Sequence, residues 1–159
     1  MFEKLSDPRD VILWEGQIPI RHRYTPGVAG EPFFRALKDR GEFLASQCES
    51  CSITYCPARL FCERCFAGPL DADVPVGPEG TLMAFSVGYV GVEGEPLDEP
   101  RAVGLVRLDG ADTVLMHFLV EPWELVAGLR VEPVFEPKSK RTGSILDVKG
   151  FRPSGSSGR

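Results

Sequence analysis

Cys48-Glu49-Ser50-Cys51 and Cys62-Glu63-Arg64-Cys65 are two Cys-x-x-Cys knuckles with ten residues between them. A knuckle is a tight turn that aims two sulfurs at one point. The intervening segment is long enough to fold back and set the second pair opposite the first. Four thiolates complete a zinc tetrahedron with no open position, so the spacing predicts a structural zinc ribbon rather than a catalytic metal. An iron–sulfur centre or disulfides would use the same residue type. Disulfides suit a small secreted domain, whereas residues 1–19 lack a continuous apolar stretch and carry Glu3, Asp7 and Asp10. A redox pair expects a thioredoxin-like strand–helix–strand setting, which two knuckles at ribbon spacing argue against. Cys56 stands outside the paired spacing. It reads as a small, partly buried residue, with an extra ligand or a reactive thiol as the alternative.

The remaining sequence bounds what can surround such a ribbon. The 159 residues allow one ordinary domain or two small ones, and 43% hydrophobic with 26% charged residues is a globular composition. No apolar run approaches the roughly 20 residues of a membrane span. A net charge of −5 argues against general nucleic-acid binding, which leaves a basic footprint. Paired reduced cysteines without an export signal point to the cytoplasm. Fourteen prolines and 17 glycines imply many turns and short elements, not a helical bundle.

Outward from the ribbon, residues 1–41 read as an N-terminal arm and helix. Trp14, Ile18, Ile20 and Tyr24 are spread among Gly16, Pro19 and Pro26. A segment so aromatic and so interrupted is expected to lie across a surface, its own or a partner's. A helix is predicted over about 30–40, with Pro32 in its first turn, Phe33, Phe34 and Leu37 as its apolar stripe and Gly41 as its stop. The ribbon then occupies 42–76, led by a short strand over 43–45. From 77 to 152 the pattern is β. Strands are expected over 81–90, with Met83, Phe85, Val87 and Tyr89 on one face, and over 102–108, 113–120, 129–135 and 144–151. Asp109-Gly110 turns the second strand into the third. One or two helical turns are expected over 122–127, and Pro133 belongs at an edge or bulge. The fold class is therefore mainly β: arm and helix, rubredoxin-like four-cysteine zinc ribbon, and a five-stranded OB-fold barrel, with an SH3-like barrel as the rival. The Gly/Ser-rich tail, 153–159, reads as disordered.

This order of parts resembles the zinc-ribbon and OB-fold accessory proteins associated with thiolases and other acyl-CoA enzymes. The likeness is carried by Ile18-Pro19-Ile20 with Arg23-Tyr24-Thr25-Pro26-Gly27, by Glu31 to Leu37, and by the ribbon with Tyr55, Pro57, Arg59, Phe61 and Phe66. Gly80 to Phe85 and Gly128 to Glu132 carry it into the barrel. The tip departs from the family pattern, with Cys56-Pro57-Ala58-Arg59 where two prolines and an arginine are usual. A less rigid tip is expected there, with Cys56 free to touch whatever the tip meets. The resemblance implies a hetero-oligomer with a thiolase-fold large subunit that holds the catalytic groups. An aldolase of that fold or a hydratase would also suit. Structural zinc and a coenzyme A thioester at the partner interface are implied with it. The arm and ribbon look closest to small subunits of thiolases of aromatic degradation that act on benzoylsuccinyl-CoA-type thioesters.

The residues themselves offer little chemistry. A thiolase needs an acylatable cysteine, a histidine, a second acid–base group and an oxyanion hole. If zinc takes Cys48, Cys51, Cys62 and Cys65, only Cys56 remains, and the only histidines are His22 and His117. No sequence feature unites them, so no residue of this chain is assigned a catalytic role. Glu93, Glu95, Asp98 and Glu99 read as a solvated acidic loop between strands. Lys138, Lys140 and Arg141 form the strongest basic cluster, in a loop that OB barrels use for ligands. With Arg59, they are the expected contacts for coenzyme A phosphates or a partner, against the plain alternative of a charged hairpin. Arg59 and Arg64 would also offset the formal −2 charge of a zinc tetrathiolate. The alternative function is single-stranded nucleic-acid binding by ribbon and barrel.

Overall fold

A computed structural model gives the architecture and describes residues 7, 16, 21, 24–91, 93–120 and 125–155. Helix α1 spans Gly27–Asp39, and eight strands follow: β1 (Phe43–Cys48), β2 (Ile53–Tyr55), β3 (Val74–Val76), β4 (Gly80–Val90), β5 (Pro96–Leu108), β6 (Leu115–Leu119), β7 (Arg130–Phe135) and β8 (Val148–Pro153). The helix begins three residues earlier than its sequence signals suggest, so Pro32 sits in its second turn. The missing Pro32 N–H costs one bond to the turn containing Val28, an exposed residue. After Asp39 the chain reverses at Gly41, whose φ of +70° lets its N–H reach back to the carbonyls of Ala36 and Leu37.

Strand β1 is shared between the two β structures. Its second half, Ser46 to Cys48, pairs with β2, and its first half, Phe43 to Ala45, pairs with β3. Strands β4 to β8 close a barrel in the order β4-β5-β6-β8-β7, with β7 returning to β4. All pairs are antiparallel except β6 with β8, which touch in parallel at Leu119 and Phe151. This is the five-stranded Greek-key arrangement of an OB fold. Pro133 pairs with Phe151 of β8, while the β4 pairing on the other flank ends at Val131. The proline therefore lies where β7 has become an edge.

One apolar core joins helix, β1 and barrel. Phe33 and Leu37 of α1, Phe43 of β1, and Leu82, Val106, Val131 and Phe151 of the barrel all belong to it. The Phe43 ring stacks on Phe151 at 6.2 Å and lies 5.6 Å from Phe135 and 6.4 Å from Phe33. Each such side chain contributes about 1.5–3 kcal/mol through its burial. The outer ribbon has its own small cluster of Cys48, Tyr55 and Cys62.

Several sequence expectations change. Met83, Phe85 and Tyr89 are exposed, and the buried residues of β4 are Gly80 and Leu82. Leu82 pairs with Val106 but Ala84 with Leu105, so Met83 is the extra residue of a β-bulge and shifts the strand's parity. Strand β5 starts at Pro96, which places Asp98 and Glu99 on a strand rather than in a loop. Residues 144–147 form a cap and a 3-10 turn before β8, because Asp147 gathers the backbone of its own turn. Of the helical turns expected over 122–127, residues 122–124 lie outside the described residues, and Leu125 to Ala127 are not helical. Pro153 of the expected tail closes β8, while 156–159 lie outside the described residues.

Candidate metal centre and ribbon–barrel junction

Each knuckle is built the same way. The N–H of Ser52 donates to Cys48 O at 2.7 Å, and that of Phe66 donates to Cys62 O at 2.9 Å. Both closing residues are left-handed, Ser52 at φ 54° and Phe66 at φ 60°. This equivalence turns Cys48, Cys51, Cys62 and Cys65 toward one centre, where their sulfurs lie within 4.8 Å of one another. Cys48 and Cys65 are 3.6 Å apart at sulfur. Zn–S bonds of about 2.3 Å in a tetrahedron set sulfurs about 3.8 Å apart, so the four side chains fit zinc.

The surroundings support ionised sulfur unequally. The buried Tyr55 hydroxyl donates to Cys62 Sγ at 3.2 Å. That bond, helped by the N–H groups of Cys65 and Arg64, pulls the Cys62 thiol down to about 6. Its hydrogen bond with Cys65, then burial, pushes Cys51 up to about 12, and burial pushes Cys48 up. Sulfurs this close cannot all ionise alone. A divalent cation removes that conflict and deprotonates its ligands. Zinc there would tie β1, β2 and the segment leading to β3 into one ribbon.

The ribbon tip is anchored rather than loose. Thr113 Oγ1 accepts from Cys56 N–H at 2.8 Å and donates to Cys56 O at 2.9 Å. Asp112 matches it one step along, accepting from Thr54 N–H through Oδ2 at 2.8 Å and donating its own N–H to Thr54 O at 2.9 Å. Ser46 Oγ accepts from Arg59 N–H at 2.8 Å. Cys56 is therefore not offered to a partner. It is buried in the core shared by ribbon and barrel, and burial pushes its thiol up to about 12.

The charged candidates are placed apart. Arg59 rides over the Tyr55 ring at 5.1 Å and pairs with Glu63, and its side chain stays 46% exposed at the ribbon surface. Arg141 is turned inward: it donates to Glu136 O at 2.8 Å, lies 5.1 Å over the Phe135 ring and packs against Gly41. Lys138 and Lys140 stand exposed on a 3-10 turn and make no ion pair among the described residues. Tyr24 is exposed, while Trp14, Ile18, Ile20 and His22 lie outside the described residues. His117 is buried with both ring nitrogens engaged. Nδ1 accepts from Phe118 N–H at 2.8 Å, and Nε2 lies 3.2 Å from Ile145 O. A histidine so occupied holds a turn against a strand and has no nitrogen free for a substrate. Thr113 and Asp112 carry no local sequence signal for this role, because their contacts span 57 and 58 residues.

A four-sulfur ribbon docked on a closed five-stranded barrel defines a rubredoxin-like zinc-ribbon and OB-fold protein. Residues 35–71 match the family described as ChsH2, rubredoxin-like zinc ribbon domain, and residues 73–136 match ChsH2, C-terminal OB-fold domain. By these two domains, the chain belongs to the ChsH2-type zinc-ribbon and OB-fold family. Among solved structures it is similar to a DUF35-family protein of unknown function from Sulfolobus solfataricus. That match has 23% identity and a TM-score of 0.61, over 80% of this chain and 84% of that one. It is also similar to a chain of the Ltp2-ChsH2(DUF35) aldolase, with 21% identity and a TM-score of 0.60 over 83% and 99%. At these identities the likeness establishes the fold. No curated protein matches the sequence.

Proposed function

We propose that this chain is a non-catalytic, zinc-binding subunit of an acyl-CoA-processing complex. It supports assembly and thioester access beside a thiolase-fold large subunit that carries the chemistry. The observation that carries this reading is the pair of ChsH2-type domains in one chain, together with the structural likeness to a component of the Ltp2-ChsH2(DUF35) aldolase. The engaged nitrogens of His117 and the buried thiol of Cys56 support it, since neither group is presented to a substrate. Zinc, held by Cys48, Cys51, Cys62 and Cys65, is a structural cofactor in this scheme. Lys138 and Lys140, exposed and without an ion pair among the described residues, are assigned to meet coenzyme A phosphates at the partner interface, with Arg59 close to the ribbon tip. The arm with Trp14, Ile18, Ile20 and Tyr24 is assigned to partner binding, and the complex to the cytoplasm. No helix among the described residues is long and apolar enough to cross a membrane.

The test is purification of the untagged chain from its native cells, with mass spectrometry of whatever elutes with it in fixed ratio. The expected companion is an acyl-CoA enzyme of thiolase fold. Elution as a lone species, or with nucleic acid, would overturn the reading and in the second case favour the single-stranded-binding alternative.

A further inference from the structure

The outer face of β4, β5 and β6 carries an apolar stripe that no element of this chain covers among the described residues. Register places Ala84 beside Leu105 beside Met116, and Ser86 beside Val103 beside Phe118. Met116 is 67% exposed, Phe118 44% and Leu105 37%. Ala84, Leu105 and Met116 help line a shallow groove of about 290 Å³, and Val103, Met116, Phe118 and Leu146 line an adjoining one of about 240 Å³. The two share Val103 and Met116, so they form one continuous surface. Its far wall is fixed, because His117 holds Ile145 by its carbonyl.

Strand β5 also sets the charge at both ends of the stripe. Its outward residues run Arg101, Val103, Leu105, Arg107, while Ala102, Gly104, Val106 and Leu108 point into the barrel. Arg101 and Arg107 are exposed, and neither makes an ion pair among the described residues. Six residues of strand separate them by about 20 Å. In a chain of net charge −5, two unpaired arginines bracketing bare apolar surface call for carboxylates opposite.

We infer that this face docks a helix of the enzyme subunit, one that presents an apolar stripe with carboxylates about 20 Å apart at its two ends. The inference rests on the subunit reading above only for the identity of the partner. A second copy of this chain is a poor occupant. Two-fold pairing with strands aligned sets Arg101 against either Arg107 or Arg101 of the other copy, like charge on like charge. A nucleic acid or anionic membrane would meet Asp98 and Glu99, exposed on the same strand just beyond Arg101.

Two measurements test this. In the purified complex, amide exchange over β5 and β6 should slow relative to the free chain, and the double change L105D/M116D should weaken association at least tenfold. Both side chains point outward, so the melting temperature of the free variant should stay near that of the native chain. A complex that forms with this face still exchanging freely, and with the double variant binding normally, overturns the inference while leaving the subunit reading intact. The second probe is a synthetic helical peptide with a leucine stripe and terminal glutamates about 20 Å apart, followed by backbone chemical shifts of the free chain. It should perturb β4 to β6 and bind at least tenfold tighter than the same peptide ending in lysines, with the preference reversed by R101E/R107E. No charge preference, self-association through this face, or equal perturbation by single-stranded oligodeoxythymidylate overturns it. This arm decides the inference even if no acyl-CoA enzyme accompanies the chain, the result that sinks the subunit reading.

Discussion

Thr113 holds Cys56 by both of its main-chain groups, with the hydroxyl oxygen 2.8 Å from the N–H and 2.9 Å from the carbonyl oxygen. One side chain thereby does the work of a β-bridge between the ribbon tip and the barrel. Thr113→Val removes both bonds without changing shape and leaves two main-chain groups without partners. The expected loss is about 1–3 kcal/mol in a denaturant titration, with faster exchange at the Cys56 amide. An unchanged transition midpoint would mean that water replaces the hydroxyl at no cost.

Cys56 should be the slowest of the five thiols to react. Its burial, and a thiol pushed up to about 12, leave almost no accessible thiolate at pH 8. With zinc chelated and the barrel still folded, iodoacetamide should modify the four knuckle cysteines and spare Cys56, as read by peptide mass. Modification of Cys56 at the rate of Cys65 would place it at the surface.

How much of this was legible in the sequence depends on the range of the interaction. The knuckles are local, so spacing alone brought the four sulfurs to one place. Strand-length apolar runs separated by turns were also enough for the barrel. Parity was not: in Leu115 to Leu119 nearly every side chain is apolar, and nothing local says that Leu115, His117 and Leu119 point in while Met116 and Phe118 point out. The bulge at Met83 misled in the same way, because one inserted residue exchanges the two faces of β4. Arg141 shows a third limit. Its place beside Lys140 suggested a surface cation, but its guanidinium is drawn to Glu136 O and the Phe135 ring by a turn that only the folded loop creates.

Asp147 gives the account a pH dependence. Burial alone would raise its carboxyl, but the N–H groups of Thr142, Gly143 and Ser144 outweigh burial and hold it below the ordinary 3.8. A carboxyl lower in the folded than in the unfolded chain stabilises fully above the unfolded value. That contribution fades as pH falls through the folded value. Asp147→Asn should therefore cost about 1–3 kcal/mol at neutral pH. The gap between native and variant should narrow below pH 3.8. A gap independent of pH down to acid unfolding would show that shape, not charge, matters in the turn.

Removing zinc should separate the two halves of the molecule. Structural zinc supplies about 10–16 kcal/mol in zinc-finger peptides, more than the small Cys48, Tyr55 and Cys62 cluster can replace. Chelation should unfold the two knuckles, seen as loss of amide protection over 48–52 and 62–66, while the Thr113 bonds to Cys56 and the core around Phe43 and Phe151 keep the tip and the barrel folded. Full retention of ribbon protection in a metal-free sample would show that zinc is dispensable.

If coenzyme A phosphates meet this loop, they meet Lys138 and Lys140 first, since Arg141 is engaged by Glu136 O and the Phe135 ring. The K138A/K140A pair should raise the complex's KM for the thioester several-fold and leave kcat nearly unchanged, with a smaller effect from Arg59→Ala because Glu63 already shares its charge. A fall in kcat at constant KM would assign these cations to the chemical step.

Thioester turnover by the purified, zinc-loaded chain tests the account most directly, measured alone and after recombination with the large subunit that copurifies with it. No turnover is expected from the chain alone, and full turnover on recombination. Turnover by the chain alone, or a large subunit equally active and stable without it, would contradict it.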